Sequence, residues 1–287
     1  MSKDRPDLRE EFNISSADRI TGILDRLSKA PEGKAVVAFL KNNAVEIDLQ
    51  EDPVNWAAST LTITRLKDGV YSYKDPVVIL KSGLSDDNLL QALVHESQHL
   101  RHHLNAVGNP DRVLSQEQYI LFYRAAEADA QANCTLVTWK LKEAGDPGPW
   151  KAAGDVGYRD ICDAFEKTVT EDPSSLNDGR AQRAAFDAWF LKTERLAGYN
   201  KATVDHMIPF IKKGREEVFR DEGMKQAPLD ASWLTKLESL SAQPYLTGIG
   251  AREILSDGFY TQDMDKRPPE PKKKVPANDV LKPPKAA

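Results

Sequence analysis

The chain has 287 residues, enough to bury a sizeable core in one large domain or two small ones. Hydrophobic residues make up 40% and charged residues 29%, an ordinary globular balance, and the formal charge of -5 argues against broad nucleic-acid binding, which needs a basic face. No apolar run approaches the roughly twenty residues of a membrane span, and the opening MSKDRPDLREEF has no apolar core of a secretory signal. The expectation is therefore a cytoplasmic protein without membrane insertion, with export by a signal-free route left open.

Residues 1–14 are polar and read as a flexible N-terminus. Ile20, Ile23, Leu24 and Leu27 fall at helical spacing, and Pro31, Glu32 and Gly33 break that helix. A second helix carries Val36, Val37, Phe39 and Leu40. The period then changes to two: residues 44–49 and 61–64 read as strands, Asp68-Gly69 as a tight turn, and 70–73 as a further strand. Val77-Val78-Ile79-Leu80, after Pro76, is a fully apolar strand, and short strands in succession predict a small, mainly antiparallel sheet.

Ser85 then caps a helix whose first turn carries Asp86 and Asp87, as the positive helix end favours, and that helix runs to about Leu104. Asn109-Pro110 closes the connection. Ser115 with Gln118 forms a capping-box pattern for a long helix reaching Glu143, before the breaker Gly145-Asp146-Pro147-Gly148-Pro149. Residues 150–260 look largely helical: Phe186, Trp189, Phe190 and Leu191 mark one helix, Val204, Ile208, Phe210 and Ile211 another, and Trp233, Leu234, Leu237 and Leu240 a third. From Met264 onward proline and lysine dominate, as in a disordered tail. Cys134 and Cys162 lie in no metal-binding spacing and read as reduced, semi-buried thiols.

The chemistry is concentrated in His95-Glu96-Ser97-Gln98-His99. Residues four apart share a helix face, so His95 and His99 can direct ring nitrogens at one metal ion. Glu96, beside the first histidine, can accept a proton from a water that the metal activates. The bland alternative is a surface helix bearing two histidines. A third ligand is required, and the next helix offers it in Arg124-Ala125-Ala126-Glu127-Ala128-Asp129-Ala130. Glu127 is favoured, because an acid among alanines suits a closely packed helix better than an exposed face. Asp129 is the alternative ligand, and Asp129 or Gln131 could orient a histidine from behind. His102 lies on nearly the same face as His95; it and His103 read as polar residues at a helix end, suited to its negative pole. A longer HExxHxxGxxH pattern is excluded, since His102 and Asn105 stand where glycine and histidine are needed. Tyr199, His206 and Arg124 are candidate donors to a developing oxyanion.

The ordered part resembles metallopeptidases of the gluzincin type, in which an HExxH helix precedes a helix carrying a glutamate ligand. More narrowly, it resembles a bacterial and phage-associated metallopeptidase family through residues 28–34, Val77–Leu80, His95–His99 and Glu127 with Asp129 and Ala130. The resemblance covers about residues 15–145, with 185–190 and Tyr199 as further matches. It implies His95, His99 and Glu127 as zinc ligands, Glu96 as base, and residues 77–80 as the sheet edge along which a peptide lies. One departure is Gln131, where larger gluzincins carry an aspartate.

The sequence thus predicts an α+β, zincin-like metallopeptidase core at 15–145. A helical C-terminal region at 146–263 and a tail at 264–287 follow. Zn2+ is the expected cofactor and a peptide or protein the expected substrate, with a partner or anionic surface for the tail. The rivals are a zinc hydrolase of non-peptide amides or esters and a non-catalytic adaptor retaining the fold.

Overall fold

The computed structural model describes residues 16–51, 58–67, 70–104, 114–209, 231–238, 244–246 and 257–267. The expected N-terminal stretch, the Asp68-Gly69 turn, the Asn109-Pro110 connection and the tail beyond residue 267 lie outside them.

Two helices open the chain, α1 (Ser16–Leu27) and α2 (Pro31–Asn42). Proline at the first position of α2 costs no hydrogen bond there. Its C-terminus wraps tightly: Ala44 has φ 49°, the Val45 amide donates to Leu40 O at 2.9 Å, and the Ala44 amide donates to Lys41 O at 3.1 Å. That left-handed residue cannot belong to a strand. The first strand, β1 (Glu46–Gln50), therefore starts later than the alternation from Ala44 implies.

Two longer strands follow, β2 (Ala58–Lys67) and β3 (Val70–Lys81), in the order β1-β3-β2. The sheet is mixed, where the sequence suggested a mainly antiparallel one. β1 runs parallel to β3, from Glu46↔Val77 to Gln50↔Lys81, while β2 runs antiparallel to it. Alternation identifies a strand but not the direction of its neighbour. Here the chain passes from one edge of β3 to the other before the β2–β3 ladder forms, which sets β1 beside β3 in parallel. The two expected strands around Pro76 are one strand. Between the pairs Leu61↔Val77 and Ile63↔Lys74 the register shifts, so Asp75 and Pro76 face a single residue of β2. Proline has no N–H to give a ladder, and a bulge accommodates it. A second correction follows from the strand order. Residues 77–80 are paired on both sides, so they form the centre of the sheet and not an edge open to a peptide.

The helix α3 (Asp86–Leu104) packs over β2 and β3 and against α4 (Gln116–Glu143). Ser85 Oγ accepts from the Asn88 amide at 3.3 Å. At Ser115 the capping box closes both ways: Ser115 Oγ accepts from the Gln118 amide at 3.3 Å, and the Ser115 amide donates to Gln118 Oε1 at 3.2 Å. α4 is buried nearly all round, as its alanine-rich sequence allows. Its Cys134, Val137 and Leu141 join a core with Ile23, Leu27, Leu80 and Leu93, whereas Ala125, Ala128 and Ala132 face a second core with Phe186, Trp189 and Phe165. One helix thus belongs to both halves of the protein.

After α4 come α5 (Gly148–Ala152), α6 (Arg159–Glu171), α7 (Ser175–Asp178), α8 (Arg180–Trp189) and α9 (Thr193–Ala202). A π-helical turn, Thr203–Met207, and the helices α10 (Ala231–Glu238) and α11 (Gly258–Thr261) complete the described elements. α8 and α9 pack on α4. Leu191, grouped by sequence with the aromatic helix, lies past its end and is 67% exposed. Residues 264–267, assigned by sequence to the tail, are anchored to the fold, with Asn200 Nδ2 donating to Asp263 O at 2.7 Å and to Lys266 O at 2.9 Å. The fold is α+β with helices predominating. No described helix is long and apolar enough to cross a membrane.

Candidate metal centre

α3 and α4 bring three donor groups to one point. His95 and His99 lie one turn apart on α3, and their Nε2 atoms are 3.0 Å apart. Glu127 projects from α4 across the interface, with Oε2 3.2 Å from His95 Nε2 and Oε1 3.3 Å from His99 Nε2. The alanines flanking Glu127 are buried, and their small side chains let the two helices approach closely. All three residues keep part of their side chains exposed, at 15%, 17% and 20% for His95, His99 and Glu127.

These distances test the fit to a cation. A tetrahedral ion with bonds of about 2.0–2.1 Å separates its ligand atoms by about 3.3 Å. The three observed separations, 3.0, 3.2 and 3.3 Å, fall at that edge length. Two imidazoles and one carboxylate, with a fourth position left open, match the donor chemistry of a catalytic zinc site. Without an ion the group holds together as an ion pair. Burial opposes a charge on His99, but Glu127 overrides it and raises that imidazole to about 9. Burial would raise the Glu127 carboxyl in turn, yet His99 and His95 hold it well below the usual range.

Glu96 shares the partly exposed face of α3 with the two histidines. Two phenols approach from the helical region. Tyr199 on α9 packs its ring against Trp189 with centroids 5.0 Å apart, and its buried hydroxyl lies within the electrostatic reach of the Glu127 carboxylate. Tyr158, just before α6, has its hydroxyl 3.5 Å from that of Tyr199. Burial, reinforced by the charge of Glu127, pushes both phenols above their ordinary value, so they remain donors.

The other two oxyanion candidates are elsewhere. Arg124 is fully buried and serves the architecture. It donates to Asn200 Oδ1 at 3.0 Å and to the carbonyls of Tyr260, Gln262 and Asp263 at 3.2, 2.7 and 3.2 Å. His206 is exposed on the π-helical turn and is not among the converging groups.

Asp129 stands behind the triad, fully buried, and contacts neither His95 nor His99. It accepts from Gln98 Nε2 at 2.8 Å and pairs with His102 Nε2 at 2.7 Å. His102 is consequently a buried residue, 4% exposed, and not a surface residue at a helix end. Its ring meets that of His99 edge-on, with centroids 5.7 Å apart, and burial lowers its affinity for a proton. His103 is exposed, while Gln131 is buried. Cys134 and Cys162 are buried free thiols, and burial pushes the Cys162 thiol up to about 12. Sequence reasoning gave no role to Tyr158, Gln98, Asn133 or Tyr245, which lie at or behind the site. Gln98 alone was marked, by its place inside the five-residue motif.

A helix-borne pair of histidines facing a glutamate on the next helix defines a candidate metalloprotein of the metallopeptidase class. Residues 16–217 match the family described as "Putative metallopeptidase family (DUF6782)", and the chain belongs to that family. Membership implies a metal, and the described His95, His99 and Glu127 could hold one. No curated protein and no solved structure matches the chain.

Proposed function

We propose that this protein is a zinc-dependent metallopeptidase with a gluzincin-like arrangement, an HExxH helix followed by a helix bearing the third ligand. The observation that carries the reading is the convergence of His95, His99 and Glu127 at the ligand spacing of a tetrahedral ion. The three side chains would hold the zinc from one side. When bound, zinc supplies Lewis acidity that makes water nucleophilic near neutral pH. Glu96 takes the proton of the attacking water and delivers it to the leaving amine. Tyr199 steadies Glu127, and Tyr158 beside it supplies a phenol proton toward the charge that develops on the substrate carbonyl.

The strand order supports a peptide as substrate. α3 packs over β2, whose outer edge is unpaired among the described residues. An extended peptide would pair along β2, in place of residues 77–80, through backbone hydrogen bonds that ask little of its sequence. The helical region after residue 145 would cover the opposite wall of the cleft, since it contributes Tyr158 and Tyr199.

The test uses protein purified without a histidine tag. Zinc near one equivalent by mass spectrometry, and cleavage of a mixed peptide library that stops in Glu96→Gln, is the expected result. A wild-type chain that takes up no zinc overturns the reading. Zinc uptake with hydrolysis confined to small amides or esters overturns the peptide assignment.

A further inference from the structure

The carboxylate of Asp129 joins three separate parts of the fold behind the triad. Oδ2 accepts from Gln98 Nε2 at 2.8 Å and lies 2.7 Å from His102 Nε2. Oδ1 accepts from Asn133 Nδ2 at 3.1 Å and from the hydroxyl of Tyr245. Four donors fill the roughly four acceptor positions of a carboxylate. His102 must then carry its proton on Nε2. This agrees with its buried Nδ1 having no partner, because an unpaired acceptor is tolerated there more readily than an unpaired donor.

The placement of these donors matters more than their number. Gln98 and His102 bracket His99 on α3, and Asp129 lies two positions after Glu127 on α4. The Asp129 contacts therefore pin the two ligand-bearing helices to each other beside the point where the ligands meet. Sliding α3 along α4 would break them and would separate His95 and His99 from Glu127. Gln98, His102 and Asn133 all fall within residues 16–217, the stretch matched by the family, whereas Tyr245 lies beyond it. Its ring is fully buried and meets Phe186 edge-on, with centroids 6.1 Å apart.

We infer that Tyr245, from outside the family's matched region, is a positioning residue for the metal centre. Its hydroxyl fixes the Asp129 carboxylate, and Asp129 sets, through Gln98 and His102, the helix register at which the three ligands converge. The inference rests on the metal-site reading above. It makes the C-terminal segment part of the working site and not an appendage to it.

The experiment compares Tyr245→Phe with Phe186→Leu in the full chain. The first removes the hydroxyl and keeps the ring; the second disturbs the same packing and leaves Asp129 alone. Zinc affinity is read on folded, monomeric protein by competition with a chromophoric chelator, alongside the visible spectrum of the cobalt-loaded form. Tyr245→Phe is expected to weaken zinc binding roughly 10- to 100-fold, as loss of a supporting contact behind a metal ligand does, and to shift the cobalt bands. Phe186→Leu is expected to lower the melting temperature with zinc affinity and cobalt bands unchanged. If wild type binds zinc and Tyr245→Phe binds it equally well, the inference falls alone. If both variants weaken zinc in proportion to their lost stability, Tyr245 is structural and the inference also falls. If wild type takes up no zinc, the metal reading fails first and takes the inference with it.

Discussion

Glu127 Oε2 lies 3.2 Å from His95 Nε2, although 32 positions separate the two residues in the chain. Nothing local creates that contact. It exists because α3 and α4 pack side by side and because only alanine flanks Glu127. Truncating Glu127 leaves two histidines from a single helix, which hold zinc poorly. Glu127→Ala is expected to weaken zinc binding by at least ~100-fold, beyond the loss from a supporting residue, and to leave under about a tenth of an equivalent after gel filtration. Retention of a full equivalent would move the third ligand elsewhere.

The ion pair in the metal-free protein gives a pH signature with a definite sign. His99 is raised from 6.5 to about 9, so its contribution to stability is complete below pH 6.5 and lost as pH rises through about 9. Glu127 is depressed below its ordinary 4.5, so its contribution is present above that pH and lost in more acid solution. The metal-free protein should therefore melt highest between these two values and progressively lower toward pH 9. Zinc must displace the His99 proton. Its apparent affinity should climb about tenfold per pH unit between 6.5 and 8.5, with release of close to one proton. Chelator competition across that range, with calorimetry in two buffers of different ionisation enthalpy, reads both quantities. A flat profile would mean that His99 carries no proton to displace.

Glu96 sits in the same partly exposed face of α3 as His95 and His99 but is not one of the three converging groups. Its proposed work is proton transfer, which contributes about 10²- to 10⁴-fold to a hydrolysis. Glu96→Gln keeps the shape and removes the basicity. It should retain a full equivalent of zinc and lose kcat/KM by that factor. Loss of zinc along with activity would make Glu96 part of the scaffold.

The convergence of His95, His99 and Glu127 was legible in the sequence because each element of it rests on local rules. The Ser85 and Ser115 caps locate two helices, four-residue spacing aligns His95 with His99, and alanines around Glu127 signal close packing. The sheet was half legible. Period-two alternation found its strands, but the direction of β1 depends on where the chain crosses β3. The bulge that lets Pro76 sit inside a strand depends on the pairing with β2. The support behind the site was hardly legible at all. Asp129 gathers Gln98, His102, Asn133 and Tyr245 from three segments, and a buried His102 looks in sequence like any histidine near a helix end. Tyr158 and Tyr199 meet only because α6 and α9 converge on α4.

Arg124 shows how an arginine near a ligand can mislead. Three positions before Glu127, it resembles an oxyanion donor, yet its guanidinium is 0% exposed and is consumed by three backbone carbonyls and Asn200. Removing it strands the buried carbonyl of Tyr260 and the half-buried one of Gln262, each unpaired acceptor costing on the order of 1–3 kcal/mol where water cannot replace the donor, while Asp263 O keeps its hydrogen bond from Asn200 Nδ2. Since part of that segment is near solvent, Arg124→Met should destabilise by about 3 kcal/mol in total, measured by urea unfolding. The segment it anchors carries Lys266, and trypsin cleavage after Lys266 should accelerate in the variant well below its unfolding midpoint; Arg267 precedes Pro268 and is not a trypsin site. Zinc content of the folded protein should stay near one equivalent. A variant that keeps its stability and its trypsin resistance while losing kcat would instead place Arg124 at the reacting carbonyl.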